Sequence, residues 1–185
     1  MIKKILLSGI MIGLTYCSFA QEKFYTKTGK ISFYSKAPME EIEAVNNTVT
    51  AVLDTKSGGF QFLVKMNGFA FEKALMQDHF HENYVESDKY PKAEFKGSIV
   101  NNADINYKKE GVYNAKVKGL LTIHGVTKEI ETIGTIKVEG NKLKAESVFN
   151  ILLSDYDVKI PTVVGEKISN NIKITANTNL EKLNG

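Results

Sequence analysis

From Lys30 onward the chain alternates apolar and polar residues with a period of two, as a strand with one wet face requires, in eight separate runs. The first, Lys30 to Ser35, puts Ile31 and Phe33 on one face and stops at Pro38. A second covers Asn46 to Leu53, and Asp54 to Gly59 then supplies the residues of a turn before a third strand, Phe60 to Met66. Phe60, Phe62, Val64 and Met66 share one face of that strand. A fourth run puts Ala93, Phe95, Gly97 and Ile99 on one face, and a fifth covers Val112 to Ile123. His124-Gly125 is a two-residue hairpin signal, so the sixth strand returns directly over Val126 to Glu139. Gly140-Asn141 turns the chain into a seventh, Lys142 to Leu153, and the pattern lapses until a last strand, Ile168 to Leu180.

One stretch breaks the alternation. Between Met66 and Ser98, Phe71, Leu75, Met76, Phe80 and Tyr84 follow one another at the steps that gather residues into one stripe of a helix. Proline biases its predecessor away from helical torsions, so the helix must end before Tyr90-Pro91. The predicted fold is mainly β: an extended eight-stranded antiparallel barrel with one helix inserted between the third and fourth strands. Closure is expected because a meander left open would expose two strand edges.

Strands of about twelve residues make such a barrel tall, and eight strands enclose a space that is either filled by side chains or holds one slender ligand. Inward positions mix bulky Phe60, Phe62, Phe95 and Phe149 with small Ala93, Gly97, Ala115, Gly119, Gly134 and Ala145. That mixture fits a long thin cavity and a solid interdigitated core equally well.

Residues 1–20 have a basic start at Lys3 and Lys4, an apolar run from Ile5 to Leu14 and a small-x-small site at Ser18-Phe19-Ala20. They read as a secretory signal peptide cut before Gln21, because the apolar run falls well short of the roughly 20 residues needed to cross a bilayer. The mature chain, residues 21–185, is then one domain of the periplasm or the secreted fraction, with no stable membrane span. The bulky Tyr16 before Cys17 argues against lipid attachment, and cleavage removes that single cysteine. Disulfides, thiolate ligands and cysteine nucleophiles are thereby excluded.

Charge narrows the function further. Arginine is absent, and the net charge of +3 falls to about +1 without the leader. A nucleic-acid partner is not expected, since arginine supplies the commonest bidentate contacts to guanine and phosphate. His79 and His81 are two residues apart and so point to opposite sides of a helix, which gives no metal site and no cofactor. No nucleophile elbow, zinc-protease motif or phosphate loop occurs, and the chain is read as non-enzymatic.

Three segments add a resemblance: Met76-Gln77-Asp78-His79-Phe80, then Glu86 to Phe95 reading ESDKYPKAEF, then Leu120 to Lys128 reading LLTIHGVTK. In this order they resemble the YceI-like family of secreted lipid-binding proteins. The resemblance covers about Ile31 to Leu180 and implies a lipocalin-like barrel whose apolar tunnel takes a polyisoprenoid or another long-chain amphiphile. Many relatives carry arginine near the helix, so its absence here favours a quinone or neutral head group as much as a pyrophosphate. The expected ligand-binding residues are Phe60, Phe62, Val64, Met66, Phe95, Tyr113 and Phe149 along the tunnel, Phe80 and Tyr84 from the helix as its cap, and His79 and Tyr90 near the mouth. Tyr156 is a further candidate at the mouth. The competing reading is a non-catalytic stress-protection or interaction protein with a solid core and an external working surface. A homodimer stays open in either case.

Overall fold

The computed structural model describes residues 22–183, so the signal peptide assigned to residues 1–20, its cleavage point and Cys17 lie outside the described residues. The elements are β1 (Lys23–Lys36), β2 (Glu41–Asp54), β3 (Gly59–Lys65), β4 (Phe69–Phe71), α1 (Ala74–His79), β5 (Lys92–Ile99), β6 (Gly111–Ile123), β7 (Val126–Glu139), β8 (Lys142–Leu152) and β9 (Asn171–Lys182). Every pairing is antiparallel, and β1 bonds to both β2 and β9, which closes the sheet into a barrel.

Nine strands occupy eight positions. β3 pairs with residues 50–53 of β2, and β4 pairs with residues 44–46 of the same strand, so the two form one staff broken by a 3-10 turn over Met66–Gly68. Asn46, fully buried, holds the break. Its Nδ2 donates to the Lys65 carbonyl at 2.8 Å, while its Oδ1 accepts from the Thr48 amide and hydroxyl. The third strand therefore ends at Lys65, not Met66.

The first two strands reach further than the alternation indicates, because bulges reset its phase. Pairing of β1 with β2 shifts register between Thr26 and Gly29 and again before Ile31, and the Thr28 amide donates to Thr26 Oγ1 inside the bulge. A period-two pattern read from one end is lost at such a step. The last strand starts at Asn171 instead of Ile168, since residues 161–168 cross the end of the barrel as a loop.

The helix is shorter than expected. α1 has six residues and passes directly into one π-helical turn, Phe80–Tyr84. Phe71, the first residue of the expected stripe, belongs to β4, and Leu75 is 65% exposed. What holds the insert is Phe80, Tyr84 and Val85, which pack on the barrel.

Call the end that carries α1 and the β6–β7 hairpin the upper end. The lower end is packed solid: Phe24, Leu53, Ile99, Ile105, Val138, Leu143 and Leu180 meet there, all buried. Tyr107 joins them by donating to Asn102 Oδ1 at 2.7 Å, and burial pushes its phenol up to about 12.

Not all the small inward residues leave space. Gly97 and Gly119 face each other across β5 and β6 with the Phe95 ring laid over them, so their missing side chains are replaced by that ring. Ala93, Ala115, Gly134 and Ala145 do border open volume.

Candidate functional site

Above the solid end lies a cavity of about 540 Å³, running up the barrel axis beneath the insert. The interior is thus solid at the lower end and hollow above it. The cavity is blind because Leu53, Ile99, Val138 and Leu143 close its floor.

Its walls follow from strand parity. β3 supplies Phe60, Phe62 and Val64, and β5 supplies Ala93 and Phe95, with the Phe60 and Phe62 rings 4.6 Å apart and Phe62 and Phe95 at 6.3 Å. Met66 borders the space from the 3-10 turn, and Phe149 from β8. The roof is aromatic. Phe80 is its hub, with ring centroids 5.3 Å from Phe33, 5.6 Å from Phe69 and 5.1 Å from Phe71. Edge-on and tilted pairs at these distances add to the area they bury and give the roof a defined shape. Tyr84 also faces the cavity, and burial raises its phenol above the ordinary value.

Polar groups collect at the rim. Lys73 Nζ pairs with Glu40 Oε1 at 3.2 Å, and Lys167 and His79 stand beside them. His79 is exposed.

Three expected site residues lie elsewhere. Tyr113 belongs to the lower half and donates from its hydroxyl to the Lys109 carbonyl at 3.0 Å. Tyr90 packs its ring 4.5 Å from His124, outside the cavity, and Tyr156 is buried in the core instead of standing at the mouth. Conversely, Phe69, with Phe33 and Phe71, which the sequence placed on a strand face and in the helical stripe, builds the roof without having been expected at the site. Their signal was the alternation Phe69-Ala70-Phe71, hidden by its place next to a helix.

The residues that carried the family resemblance form a latch. His124 and Gly125 both adopt positive φ, the backbone of a tight hairpin tip. His124 Nδ1 donates to the Tyr156 carbonyl at 3.2 Å, and its Nε2 lies 2.7 Å from Glu86 Oε2. Glu86 itself has a φ of 44°, a strained position for a residue with a side chain. Only glycine fits at 125, since a Cβ would come within 2.6 Å of the Tyr90 ring. One imidazole thus ties the insert, the hairpin and the turn over Leu153–Tyr156 together. His124→Ala is expected to cost about 1–3 kcal/mol, because it removes both hydrogen bonds of the latch. Hydrogen exchange should then rise across residues 80–90 while the lower ends of β6 and β7 stay protected. Unchanged exchange in the insert would show that the imidazole does not hold it.

The profile of the YceI-like domain matches residues 17–180. The chain belongs to the YceI-like family. Among solved structures, a polyisoprenoid-binding domain from Saccharophagus degradans, implicated in plant cell wall breakdown, superposes on this YceI-like barrel with a TM-score of 0.77 at 15% identity. The match covers 88% of this chain and 99% of the other. BcnA from Burkholderia cenocepacia gives 0.67 at 18% identity over 83% and 96%, and the YceI protein of Campylobacter jejuni 0.57 at 17% over 99% and 100%. At such identities these likenesses speak for the YceI-like fold. No curated protein sequence matches the chain. Among the described residues, no helix is long and apolar enough to cross a membrane, and no cluster of His, Cys, Asp and Glu could hold a metal ion.

Proposed function

We propose that this protein holds the chain of an isoprenoid-type lipid, polyprenyl or quinone-like, in its blind cavity, and that it does so in the periplasm or as a secreted carrier. The observation that carries the reading is the distribution of polarity: apolar and aromatic walls along the depth, with Glu40, Lys73 and Lys167 at the rim and only Glu94 and Glu146 as charged residues elsewhere on its border. Such a space rewards a chain at about 0.8 kcal/mol per CH₂ buried and offers a charge nothing in return. The family and the polyisoprenoid-binding domain among its structural relatives point the same way. Phe60, Phe62, Val64, Met66, Phe95 and Phe149 would touch the chain, and Phe80 would roof it. At the rim, Lys73 is already paired with Glu40, which favours a neutral head group oriented by Tyr84 and His79.

Protein purified without detergent is expected to yield a prenyl lipid or quinone on solvent extraction and mass spectrometry. Protein stripped of it should melt higher when a prenyl alcohol or quinone is added, with about 2.7 kcal/mol of stabilisation at 100 times the dissociation constant. Extracts that stay empty, together with no shift from either class of additive, would end this reading.

A further inference from the structure

The cavity wall is not continuous sheet. Backbone pairing of β7 with β8 runs only from Glu139↔Lys142 to Gly134↔Ser147. Above that point residues 126–133 of β7 have no partner strand on this side, and residues 148–152 of β8 pair with β9 alone. By comparison, β6 and β7 stay paired along their whole length.

Sequence explains where the ladder stops. Gly134 lets β8 come so close that a Cβ there would run into the Glu146 carbonyl, which draws the two strands together at one point. Immediately above, Ser147 Oγ donates to the Ile133 carbonyl at 3.0 Å and lies 3.2 Å from Thr132 Oγ1. Side-chain hydroxyls there occupy groups that the ladder would otherwise use. The opposite end of the gap is closed by the Leu153–Tyr156 turn, which packs on β7 and is tied to the hairpin through His124. Between these two closures the wall consists of side chains, and Ile130, Thr132, Phe149 and Ile151 of the two strands all border the cavity.

On the outer surface the two lips of the seam carry three exposed apolar side chains. Ile133, Val148 and Leu152 flank it, exposed at 67%, 58% and 42%. The other outward positions of the same segments are polar, Glu129 and Glu131 on β7 and Asn150 on β8, as outward positions of a solvated strand ordinarily are.

We propose that the seam between β7 and β8 is a side port through which the apolar chain enters and leaves the cavity, separate from the rim. The inference rests on the reading of the cavity as a chain-binding site. A blind tunnel loaded only through its rim must be threaded end-on past the Phe80 roof. A seam closed by side chains opens without breaking a backbone ladder and offers a chain apolar contacts from Ile133 and Val148 inward to Phe149.

Two variants test it with a fluorescent prenyl alcohol as probe. Thr132→Cys with Ser147→Cys places sulfurs where two oxygens now lie 3.2 Å apart, and the only native cysteine, Cys17, is in the segment read as a leader. Oxidation should slow probe release about tenfold, and reduction of the same sample should restore it. Thr132→Val with Ser147→Ala removes the clasp and should speed release. Release rates that ignore the redox state of the first variant and match the wild type in the second would overturn the port. A wild-type protein that takes up no probe would instead overturn the chain-binding reading, and the port with it.

Discussion

Ala115→Phe is expected to weaken chain binding about a hundredfold while the barrel stays folded. Ala115 is 1% exposed, lies on β6 opposite Gly134 of β7 and borders the cavity. A benzyl group there would extend into the cavity that Ala115 borders, and the overpacking cost of about 1–3 kcal/mol that a filled core would impose is its upper bound. It takes the volume of about four methylenes, and losing their burial is worth roughly 3 kcal/mol, or about a hundredfold in affinity. Val112→Phe is the control, because Val112 sits on the same strand, faces out and is 64% exposed. Titration with a prenyl alcohol should separate the two variants, and a thermal melt should show both folded. Equal affinity for Ala115→Phe and the wild type would place the chain somewhere other than this cavity.

Gly97→Ala is expected to destabilise the protein by about 2–3 kcal/mol, or roughly 5–10 °C in melting temperature. The sign is the informative part. Glycine within a strand is ordinarily inferior to alanine by about 0.5–1 kcal/mol, so an unobstructed exchange would stabilise. At Gly97 a Cβ would strike the Lys118 carbonyl and come within 2.8 Å of the Gly119 Cα, and backbone cannot step aside as a side chain can. The Phe95 ring, whose Cζ would lie 2.5 Å from that Cβ, would also have to move. Urea denaturation should give a lower midpoint with an unchanged slope. A midpoint at or above that of the wild type would mean that β5 and β6 are not in such close contact.

These two positions show why small residues left the reading of the interior open. Ala115 and Gly97 look alike in the alternation, each a small residue on an inward face. One borders a void and the other a ring, and the difference depends on which neighbour leans over it. Phe95 precedes Gly97 by two residues on the same face and covers it together with Gly119, a partner distant in sequence.

The helix was legible as an interruption but not in extent. Phe71 continues the spacing of a stripe, yet β2 offers it a strand partner at Ala44, and pairing outweighs a weak local propensity. Tyr90 was legible as important and misplaced in role. It serves the latch, where its ring meets His124 and fills the space that Gly125 leaves open.

By itself the sequence determined the class of the fold, most of the strand boundaries, the hairpin at His124-Gly125 and the position of the insert. These depend on period, turn chemistry and phase, which are properties of neighbours along the chain. Only the tertiary structure decided that the barrel is solid below and hollow above, that Phe33, Phe69 and Phe71 join Phe80 as a roof, and that β7 and β8 part above Gly134. Each of those is set by contacts between residues far apart in sequence, and alternation reports which face a side chain takes but not what it meets there.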